Sequence, residues 1–319
     1  MIIHRLVIVV PCYNEQSVLT ETIRRLTVIL EDLIKKSKIS IDSFILFIDD
    51  GSKDKTWEII ETSSHHNKFV KGIKLTRNYG HQNALIAGME YAVDKCDCLI
   101  SLDADLQDDV DAIELMLDKY LCNKEIVYGV RASRKTDTFL KRWTAESFYN
   151  IMRFLGIDIV FNHADYRLMS NRAVKFFLQF SERSLFIRGI VPLIGLQSDK
   201  VFYERHERFA GESKYPFKKM LFFAIDGIVS FSEVPLRVIF FIGFLVFLMS
   251  MLMIFYIIAG WLFTEKAIPG WASTVLPIYF IGGIQLLALG VMGEYMGKIY
   301  KETKKRPRYF VEKITSDRV

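Results

Sequence analysis

Two long uncharged apolar runs near the C-terminus constrain this chain more than any other feature. Val238–Phe263 spans 26 residues and Ala267–Gly293 spans 27 residues, and neither contains an Asp, Glu, Lys or Arg. A helix of about 20 apolar residues crosses the hydrocarbon core of a bilayer, and buried helices of soluble proteins are seldom so uniformly apolar. The runs therefore predict a transmembrane hairpin, with transmembrane helix 1 over 237–263, an external loop over 264–270 and transmembrane helix 2 over 271–293.

The charges that flank these runs predict the orientation of the hairpin. Arg237 precedes the first run, and the basic tail 294–319 follows the second with eight Lys or Arg against four Asp or Glu. Lys and Arg mark the cytoplasmic side of a span. We therefore expect a multi-pass protein of the cell (inner) membrane with both termini and the large N-terminal domain in the cytoplasm. Most of the formal net charge of +5 lies in the tail, which suits an anionic leaflet and not nucleic acid.

The chain before residue 216 alternates short apolar strands with helical segments. The predicted strands are Leu6–Val10, Phe44–Ile48, Val70–Leu75, Cys98–Leu102 and Ile126–Gly129. The predicted helices, where apolar residues recur at helical spacing, are Glu15–Lys36, Thr56–Ser63, Asn83–Val93 and Val110–Tyr120. Repeated strand–helix units with continuously apolar strands predict an α/β domain, in which helices cover both faces of a mostly parallel sheet.

Polar segments follow the predicted strands at the edge where ligands of a parallel sheet bind. These segments are Pro11–Glu15, Asp49–Ser52, Arg77–Gln82 and Asp103–Asp109. The chain has no GxGxxG after its first strand and no GxxxxGK[ST] anywhere. These absences argue against a dinucleotide-binding dehydrogenase and against a P-loop ATPase.

The acidic segment after the fourth strand predicts a metal site. Asp103 and Asp105 are two residues apart at a strand end, so their side chains point the same way. Like charges held together need a cation, and hard oxygen ligands select Mg²⁺ or Mn²⁺, which bind mainly through one or two carboxylates plus substrate phosphates. We therefore expect Asp103 and Asp105 to hold Mg²⁺ or Mn²⁺. Asp108, Asp109 and Asp111 fit the acidic N-terminus of the following helix instead.

Six segments occur in an order that resembles the family 2 inverting glycosyltransferases. The resemblance is closest to the polyprenyl-phosphate glycosyltransferases, which include bactoprenol glucosyltransferases and dolichol-phosphate mannosyltransferases. It covers essentially the whole chain, including the two terminal membrane spans, and it implies a GT-A (Rossmann-like) catalytic domain over 1–215. The segments are Pro11–Glu15, Asp49–Ser52, Arg77–Gln82, Asp103–Asp108, Ala164–Leu168 and Arg208–Tyr215.

The resemblance implies roles for residues that would bind the nucleotide sugar. Asp103 and Asp105 match the metal–diphosphate residues, with Asp103 also contacting the donor, and Gln107 lies at the sugar–phosphate junction among the catalytic residues. Arg208 and Lys214 match basic groups that close over phosphates, and Arg is suited to bidentate phosphate contacts. The positions that hold the nucleotide base and ribose are matched by Pro11, Tyr13, Glu15 and Asp50.

The resemblance also implies residues for the acceptor. Arg131 matches a position that receives the acceptor phosphate, Arg205 is assigned to the same phosphate, and Asp165 matches the catalytic base of related enzymes. A phosphate monoester has a second pKa of about 6 and is largely a dianion near neutral pH, so a strong base is not required. We therefore expect Asp165 to accept any residual proton and to orient the acceptor against C1 of the sugar.

The expected activity is inverting transfer of a single sugar from a nucleotide sugar to undecaprenyl or another polyprenyl phosphate. The resemblance favours glucose and UDP, and leaves galactose, N-acetyl sugars, mannose and an arabinose derivative open. One alternative is a processive polysaccharide synthase, but Phe139 stands where the QxxRW motif of that class has Gln before Arg142-Trp143. The other alternative is a non-catalytic lipid-carrier subunit, which the intact Asp103, Asp105 and Asp165 disfavour.

Two further segments and one glycine pair suit a membrane enzyme. An interfacial amphipathic helix is predicted over 216–236, where Lys218 and Lys219 stand among apolar residues. Phe139–Leu155 predicts either a second interfacial helix or a helix packed on the catalytic domain. Gly282-Gly283 would allow close helix contact, and the resemblance admits a homo-oligomer such as a tetramer.

Overall fold

The computed structural model describes residues 3–132, 163–183, 187–204, 234–264 and 271–315. The described residues fall into two compact units. The first contains the strands, the shorter helices and the C-terminal residues from 306 onwards. The second contains two long C-terminal helices.

The first unit alternates strands and helices in the predicted order. All five predicted strands and all four predicted helices are confirmed, with their ends shifted by a few residues. The elements are β1 (Leu6–Cys12), α1 (Leu19–Lys35), β2 (Phe44–Asp49), α2 (Thr56–His66), β3 (Val70–Leu75), α3 (His81–Ala92), β4 (Cys98–Ser101), α4 (Ala112–Leu121), β5 (Ile126–Arg131), β6 (His163–Ser170), α5 (Asn171–Leu178), α6 (Ile187–Leu193), β7 (Ser198–Tyr203) and β8 (Val311–Ile314).

Within the described residues, eight strands form a mostly parallel sheet in the order β7-β5-β6-β4-β1-β2-β3-β8. Only β6 and β8 run antiparallel to their neighbours in it. The carboxyl ends of β1–β5 therefore lie at one edge, and the amino-terminal end of β6 lies there too. Ser101 of β4 pairs with Arg167 of β6, so continuing this register places Asp165 level with Asp103.

The sheet is buried because helices cover both of its faces. Leu6 to Val10 of β1 are fully buried, as expected for a central strand with a continuously apolar sequence. On one face, Gly88 lets α3 approach β1, since a Cβ at this position would lie 2.3 Å from Cγ1 of Val9. α1 covers the other face with a stripe of buried apolar residues at helical spacing, namely Leu19, Ile23, Leu26, Leu30 and Leu33.

The residues after the long C-terminal helix return to the sheet. Thr315 N donates a hydrogen bond to the Gly72 carbonyl at 2.9 Å, and Gly72 N donates to Thr315 Oγ1 at 2.9 Å. The predicted basic tail 294–319 is therefore divided, because the helix continues to Thr303 and β8 joins the edge of β3. An edge strand leaves its backbone groups unpaired, and β8 satisfies those of β3.

The second unit contains the long helices α7 (Val234–Thr264) and α8 (Trp271–Thr303), which contact each other. Large apolar side chains are exposed along both; Phe240 is 68% and Leu286 is 72% exposed. Among the described residues, Phe280–Thr303 is long and apolar enough to cross a membrane, judged by length and composition alone. The transmembrane hairpin and its orientation remain predictions.

Three of the predicted membrane-associated segments lie wholly or mostly outside the described residues. They are the interfacial helix over 216–236, the external loop over 264–270 and the segment Phe139–Leu155.

Candidate active site

The loops after β1 and β2 are joined at the carboxyl edge of the sheet. Asn14 adopts a left-handed conformation with φ +54°, and its backbone N–H donates to Ser52 Oγ at 2.9 Å. Pro11 is buried, whereas Tyr13 and Glu15 are partly exposed. The predicted nucleotide-binding residues of the first loop are therefore held beside the second loop, and two of them are accessible to a ligand.

Asp50 is buried and holds the loop that follows β3. Its Oδ1 accepts a hydrogen bond from Tyr79 N at 2.7 Å, and its Oδ2 accepts one from Gly80 N at 2.9 Å. Burial raises the pKa of Asp50, while these two N–H groups act to lower it. Gly51 has φ +67°, and a Cβ there would lie 2.3 Å from the carbonyl carbon of Arg77, so only glycine fits this close approach. Asp50 thus has a bracing role besides the predicted nucleotide contact.

The loop after β4 carries the two predicted metal ligands. Asp103, Asp105 and Gln107 are all partly exposed. Gln107 N donates to Asp105 Oδ1 at 3.2 Å, and the intervening Leu106 has φ +55°, a region that is costly for a branched residue. His81 Nε2 lies 3.6 Å from Asp103 Oδ1. A strained turn therefore presents both carboxylates and Gln107 at the same edge.

The environment of Asp103 and Asp105 fits a divalent cation that is also bound by substrate. Burial raises the pKa of Asp103, and the charges of Asp165 and Asp105 raise it further, while the charges of His81 and Arg188 act to lower it. A hard cation would relieve this repulsion between carboxylates. In the described part of the chain, no group of three or more His, Cys, Asp and Glu is arranged to hold a metal. A cation here would therefore need further oxygen ligands, which a diphosphate can supply.

Asp165 lies level with Asp103 but is held between two arginines. Arg167 Nη2 donates to Asp165 Oδ1 at 2.7 Å, while Arg188 Nε donates to Oδ1 at 3.2 Å and Arg188 Nη2 donates to Oδ2 at 3.0 Å. Burial raises the pKa of Asp165, but the charges of Arg188 and Arg167 outweigh burial and hold this pKa well below its usual value. Asp165 is therefore ionised throughout the neutral range, which suits an orienting role better than proton transfer.

Another acid at this edge, Asp108, is buried and lies next to Arg131. Asp108 is 4% exposed, Tyr203 Oη donates to its Oδ1 at 2.6 Å, and Arg131 Nη2 lies 4.0 Å from the same oxygen. Burial is the main cause that raises the pKa of Asp108 to about 6. The prediction that Asp108 belongs to the acidic start of a helix is wrong, because α4 begins only at Ala112 and Asp108 turns inward to groups from β5 and β7.

Most of the predicted site residues come from loops and strand ends at the carboxyl edge. This group consists of Pro11, Tyr13, Glu15, Asp50, Asp103, Asp105, Gln107, Arg131 and Asp165. The three remaining predicted residues lie outside the described part of the chain; they are Arg205, Arg208 and Lys214.

Three residues at this edge were not predicted as site residues. His81 belongs to the motif Arg77–Gln82, so its position after β3 was a usable signal. Tyr203 ends a strand with no motif of its own. Arg188 lies in the seven-residue helix α6, and nothing in the surrounding sequence indicates that it reaches Asp165.

The mostly parallel sheet and the Asp-x-Asp loop at its carboxyl edge are those of the GT-A class of glycosyltransferases. Residues 7–177 match the Glycosyl transferase family 2, and the chain belongs to this family. It is therefore a glycosyltransferase, as the six sequence motifs predict.

Similar proteins match nearly the full length of the chain. The glycosyltransferase YkoT of Bacillus subtilis is 50% identical over 312 residues, which cover 96% of this chain and 91% of YkoT. The bactoprenol glucosyl transferase of Shigella phage SfX is 38% identical over 309 residues, covering 96% and 98% of the two chains. Among solved structures, the mannosyltransferase PcManGT from Pyrobaculum calidifontis covers 96% of this chain and 89% of its own, with 13% identity and a TM-score of 0.44.

Proposed function

We propose that this glycosyltransferase transfers one glucosyl residue from UDP-glucose to undecaprenyl phosphate or a related polyprenyl phosphate, with inversion at C1. The observation that supports it most is the arrangement of charge at the carboxyl edge, where the carboxylates of Asp103 and Asp105 lie beside a half that contains Arg131. A donor diphosphate with its cation suits the first half, and an acceptor phosphate suits the second. The name of the relative from phage SfX favours glucose and a polyprenyl acceptor.

The donor would bind across the ends of β1, β2 and β4. Tyr13 and Glu15 are accessible there for the base and ribose, and Pro11 and Asp50 shape the floor of this half. Arg208 and Lys214, by the family resemblance, would close over the phosphates. Gln107 would contact the oxygen between sugar and phosphate.

Asp103 and Asp105 would hold Mg²⁺ or Mn²⁺ against the diphosphate. When bound, such a cation neutralises charge that develops on the departing diphosphate. Both carboxylates are partly exposed at the same strand end, so they can reach phosphate oxygens of the donor.

The acceptor would bind in the half that contains Arg131 and Asp165, with Arg205 assigned to the same phosphate by resemblance. An oxygen of the acceptor phosphate attacks C1 from the face opposite the diphosphate, the new C1–O bond forms, and the old C1–O bond breaks to release UDP. The attacking phosphate is largely a dianion near neutral pH, so no proton has to be removed. Asp165, which is ionised already, would orient the acceptor.

The membrane hairpin would bring this domain to its lipid acceptor. Exposed apolar side chains along α7 and α8 are suited to hydrocarbon, and the basic residues that flank the runs favour a cytoplasmic catalytic domain and cytoplasmic termini. We include in this proposal the interfacial helix over 216–236 and a homo-oligomer such as a tetramer.

A panel of nucleotide sugars tested with undecaprenyl phosphate examines the proposal directly. Purified full-length protein is incubated with radiolabelled UDP-glucose, UDP-galactose, UDP-N-acetylglucosamine or GDP-mannose, with and without the lipid. We expect lipid-extractable label from UDP-glucose only when undecaprenyl phosphate is present, and its loss in Asp105→Asn but not in Asp111→Asn. A long polymer would identify a processive synthase, and transfer from a donor other than UDP-glucose would overturn glucose as the transferred sugar. Neither transfer nor hydrolysis of any donor, an arabinose-derivative donor included, would favour a non-catalytic lipid-carrier subunit.

Thiol labelling in intact cells tests the orientation. Cys122 is the exposed cysteine of the described chain and is first replaced by Ser; Cys12, Cys96 and Cys98 are buried. We expect Ala267→Cys to react with an impermeant thiol reagent from outside, and Lys304→Cys to react only after permeabilisation. If only Lys304→Cys is labelled in intact cells, the orientation in the membrane is the reverse of the one proposed.

A further inference from the structure

Asp165 has more positive charge around it than its own neutralisation requires. Arg167 is completely buried and donates to Asp165 Oδ1 from behind. This ion pair by itself compensates both charges. Arg188 adds a second, bidentate pair on the same carboxylate, and its side chain remains 37% exposed. The three side chains together carry one net positive charge, and the exposed Arg188 also attracts the carboxylate of Asp103.

The contact between Arg188 and Asp165 fixes the orientation of the exposed guanidinium. Its Nε and Nη2 both donate to the carboxylate, at 3.2 and 3.0 Å, and such a bidentate pair determines the plane of the group as well as its distance. A guanidinium held in this way loses little conformational freedom when it binds a ligand. Exposure and fixed orientation together are typical of an arginine that recognises a ligand.

Arg131 ends β5, which lies directly beside β6 in the sheet, so it stands at the same carboxyl edge as Asp165 and its partner Arg188. The two like charges interact unfavourably there. Each is held by a different carboxylate, since Arg131 Nη2 lies 4.0 Å from Asp108 Oδ1 and Arg188 is paired with Asp165. Two arginines at one strand edge, each paired with its own carboxylate, form a site for an anion with two negative charges. Asp103, level with Asp165, repels that anion from the metal side.

We propose that Arg188 binds the acceptor phosphate together with Arg131, and that Asp165 is a positioning residue that acts through Arg188. The inference rests on the proposed transfer to a polyprenyl phosphate and deepens it. A positioning role explains why Asp165, which is already paired with two arginines, lies at the proposed site of sugar transfer. Asp165 orients the guanidinium, and the guanidinium orients the attacking phosphate oxygen.

Separate kinetics for donor and acceptor test the role of Arg188. With undecaprenyl phosphate as the varied substrate, Arg188→Gln should raise the KM for the acceptor by about ten- to hundredfold, the range expected for loss of a charge-assisted contact with a phosphate. Arg188→Lys keeps the positive charge but loses the paired N–H donors of the guanidinium. Its KM for the acceptor should therefore lie between those of the wild type and Arg188→Gln. The affinity for UDP, measured by calorimetry with Mg²⁺, should stay within about twofold of the wild type in both variants.

A double-variant cycle tests whether Asp165 acts through Arg188. If it does, Asp165→Asn combined with Arg188→Gln should be within about twofold of Arg188→Gln alone. If Asp165 acts on the substrate independently, the two losses should multiply, and this result would overturn the positioning role. Arg172→Gln is the matched control, because Arg172 also pairs with a carboxylate (Glu125, 3.1 Å) but lies at the opposite end of the strands.

The outcomes separate this inference from the proposed function. An unchanged acceptor KM in Arg188→Gln, with active wild-type enzyme, overturns the inference and leaves the function intact. Loss of UDP affinity together with acceptor affinity would show that Arg188 only maintains the fold, which also overturns it. Absence of transfer by the wild type to undecaprenyl phosphate, despite transfer to another acceptor, overturns both.

Discussion

Asp103, two residues beyond β4, lies level with Asp165 of the neighbouring β6, yet the charges closest to the two carboxylates differ. Asp103 has Asp105 and Asp165 as acidic neighbours, His81 at 3.6 Å, and Arg188 only as a more distant charge. Asp165 has a buried arginine behind it and an exposed arginine in front. A carboxylate crowded by other carboxylates favours an external cation, whereas one between two arginines already has its cations. Under the proposed function, the same residue type at one strand edge therefore serves two halves: a metal-binding half with Asp103 and a phosphate-binding half with Asp165.

The largest expected effect comes from removing charge in the metal-binding half. Asp103→Asn and Asp105→Asn should each lower the rate of transfer by about a hundredfold or more, because a group that holds the charge-neutralising cation is lost. Chelator-treated enzyme should be inactive and should recover with Mg²⁺ or Mn²⁺. The rate of sugar transfer to lipid is the measurement, with the exposed Asp111→Asn as the control. Full activity in excess EDTA would show that transfer needs no metal ion at Asp103 and Asp105.

The next effect examines the phosphate-binding half. Asp165→Asn keeps the shape of the side chain and removes its charge, so transfer should fall by at least about tenfold with little change in donor affinity. Because Arg188 and Arg167 outweigh burial and hold the pKa of Asp165 well below its usual value, this defect should not change between pH 6 and 8. Rate profiles of the variant and wild type over this range measure it. A defect that becomes smaller as the pH rises would indicate that Asp165 accepts a proton after all.

The lowered pKa of Asp165 also affects the stability of the folded protein. A carboxyl whose pKa is depressed in the folded protein stabilises it above the unfolded value of about 4, and this contribution is lost as the pH falls through the folded value. The Asp165 contribution should therefore be constant between pH 6 and 8. Thermal unfolding of the wild type and Asp165→Asn in detergent should show a constant difference in Tm over that range. A difference that changes there would show that another group titrates with Asp165.

A smaller effect is expected from the hydroxyl that holds Asp108. Tyr203→Phe removes the donor to Asp108 Oδ1 at 2.6 Å, and loss of such a bond costs about 1–2 kcal/mol of stability. Burial already raises the pKa of Asp108 to about 6 and the Tyr203 bond opposes this shift, so the pKa should rise further in the variant. Asp108 pairs with Arg131 only when it is ionised. The acidic limb of the pH profile for the acceptor-dependent rate should therefore move to higher pH in the variant. If the acidic limb of the pH–rate profile does not move, the ionisation of Asp108 does not affect acceptor binding.

The smallest effect is expected far from both halves. Thr315→Val removes the oxygen that accepts from Gly72 N at 2.9 Å and should cost about 1 kcal/mol in the unfolding of the catalytic unit, with both KM values unchanged. Thr315→Ser keeps the hydroxyl and should restore most of this loss. Thermal unfolding and steady-state kinetics measure the two properties. A changed KM for either substrate would connect the C-terminal strand to the site.

The strand–helix order of the catalytic unit was predictable because burial on both faces requires continuously apolar strands. Phe44–Ile48 was predicted and Phe44–Asp49 observed, and the neighbouring strands agree similarly. Predicted helices end within a few residues of the observed ones because their apolar residues recur at helical spacing. The Asp-x-Asp pair could be placed from the sequence as well, since it follows directly on a predicted strand.

Strands β6 and β8 were not predictable in the same way. β6 (His163–Ser170) includes Asp165 and the completely buried Arg167, and a buried charge is tolerated only where its partner stands beside it. β8 (Val311–Ile314) reads as part of a charged tail, and it is a strand because the edge of β3 offers hydrogen bonds. In both cases the stabilising partner is remote in the sequence.

The sequence by itself determined the α/β architecture, the membership of family 2 and the loop with Asp103 and Asp105, because these depend on local periodicity and on motifs that follow a strand. Only the tertiary structure decided which charges meet. Arg188 is 23 residues from Asp165, and Tyr203 is 95 residues from Asp108. Their pairing depends on the antiparallel course of β6 and on β7 lying beside β5. Ion pairs and hydrogen bonds between distant segments have no local pattern, since each partner alone resembles an ordinary polar side chain.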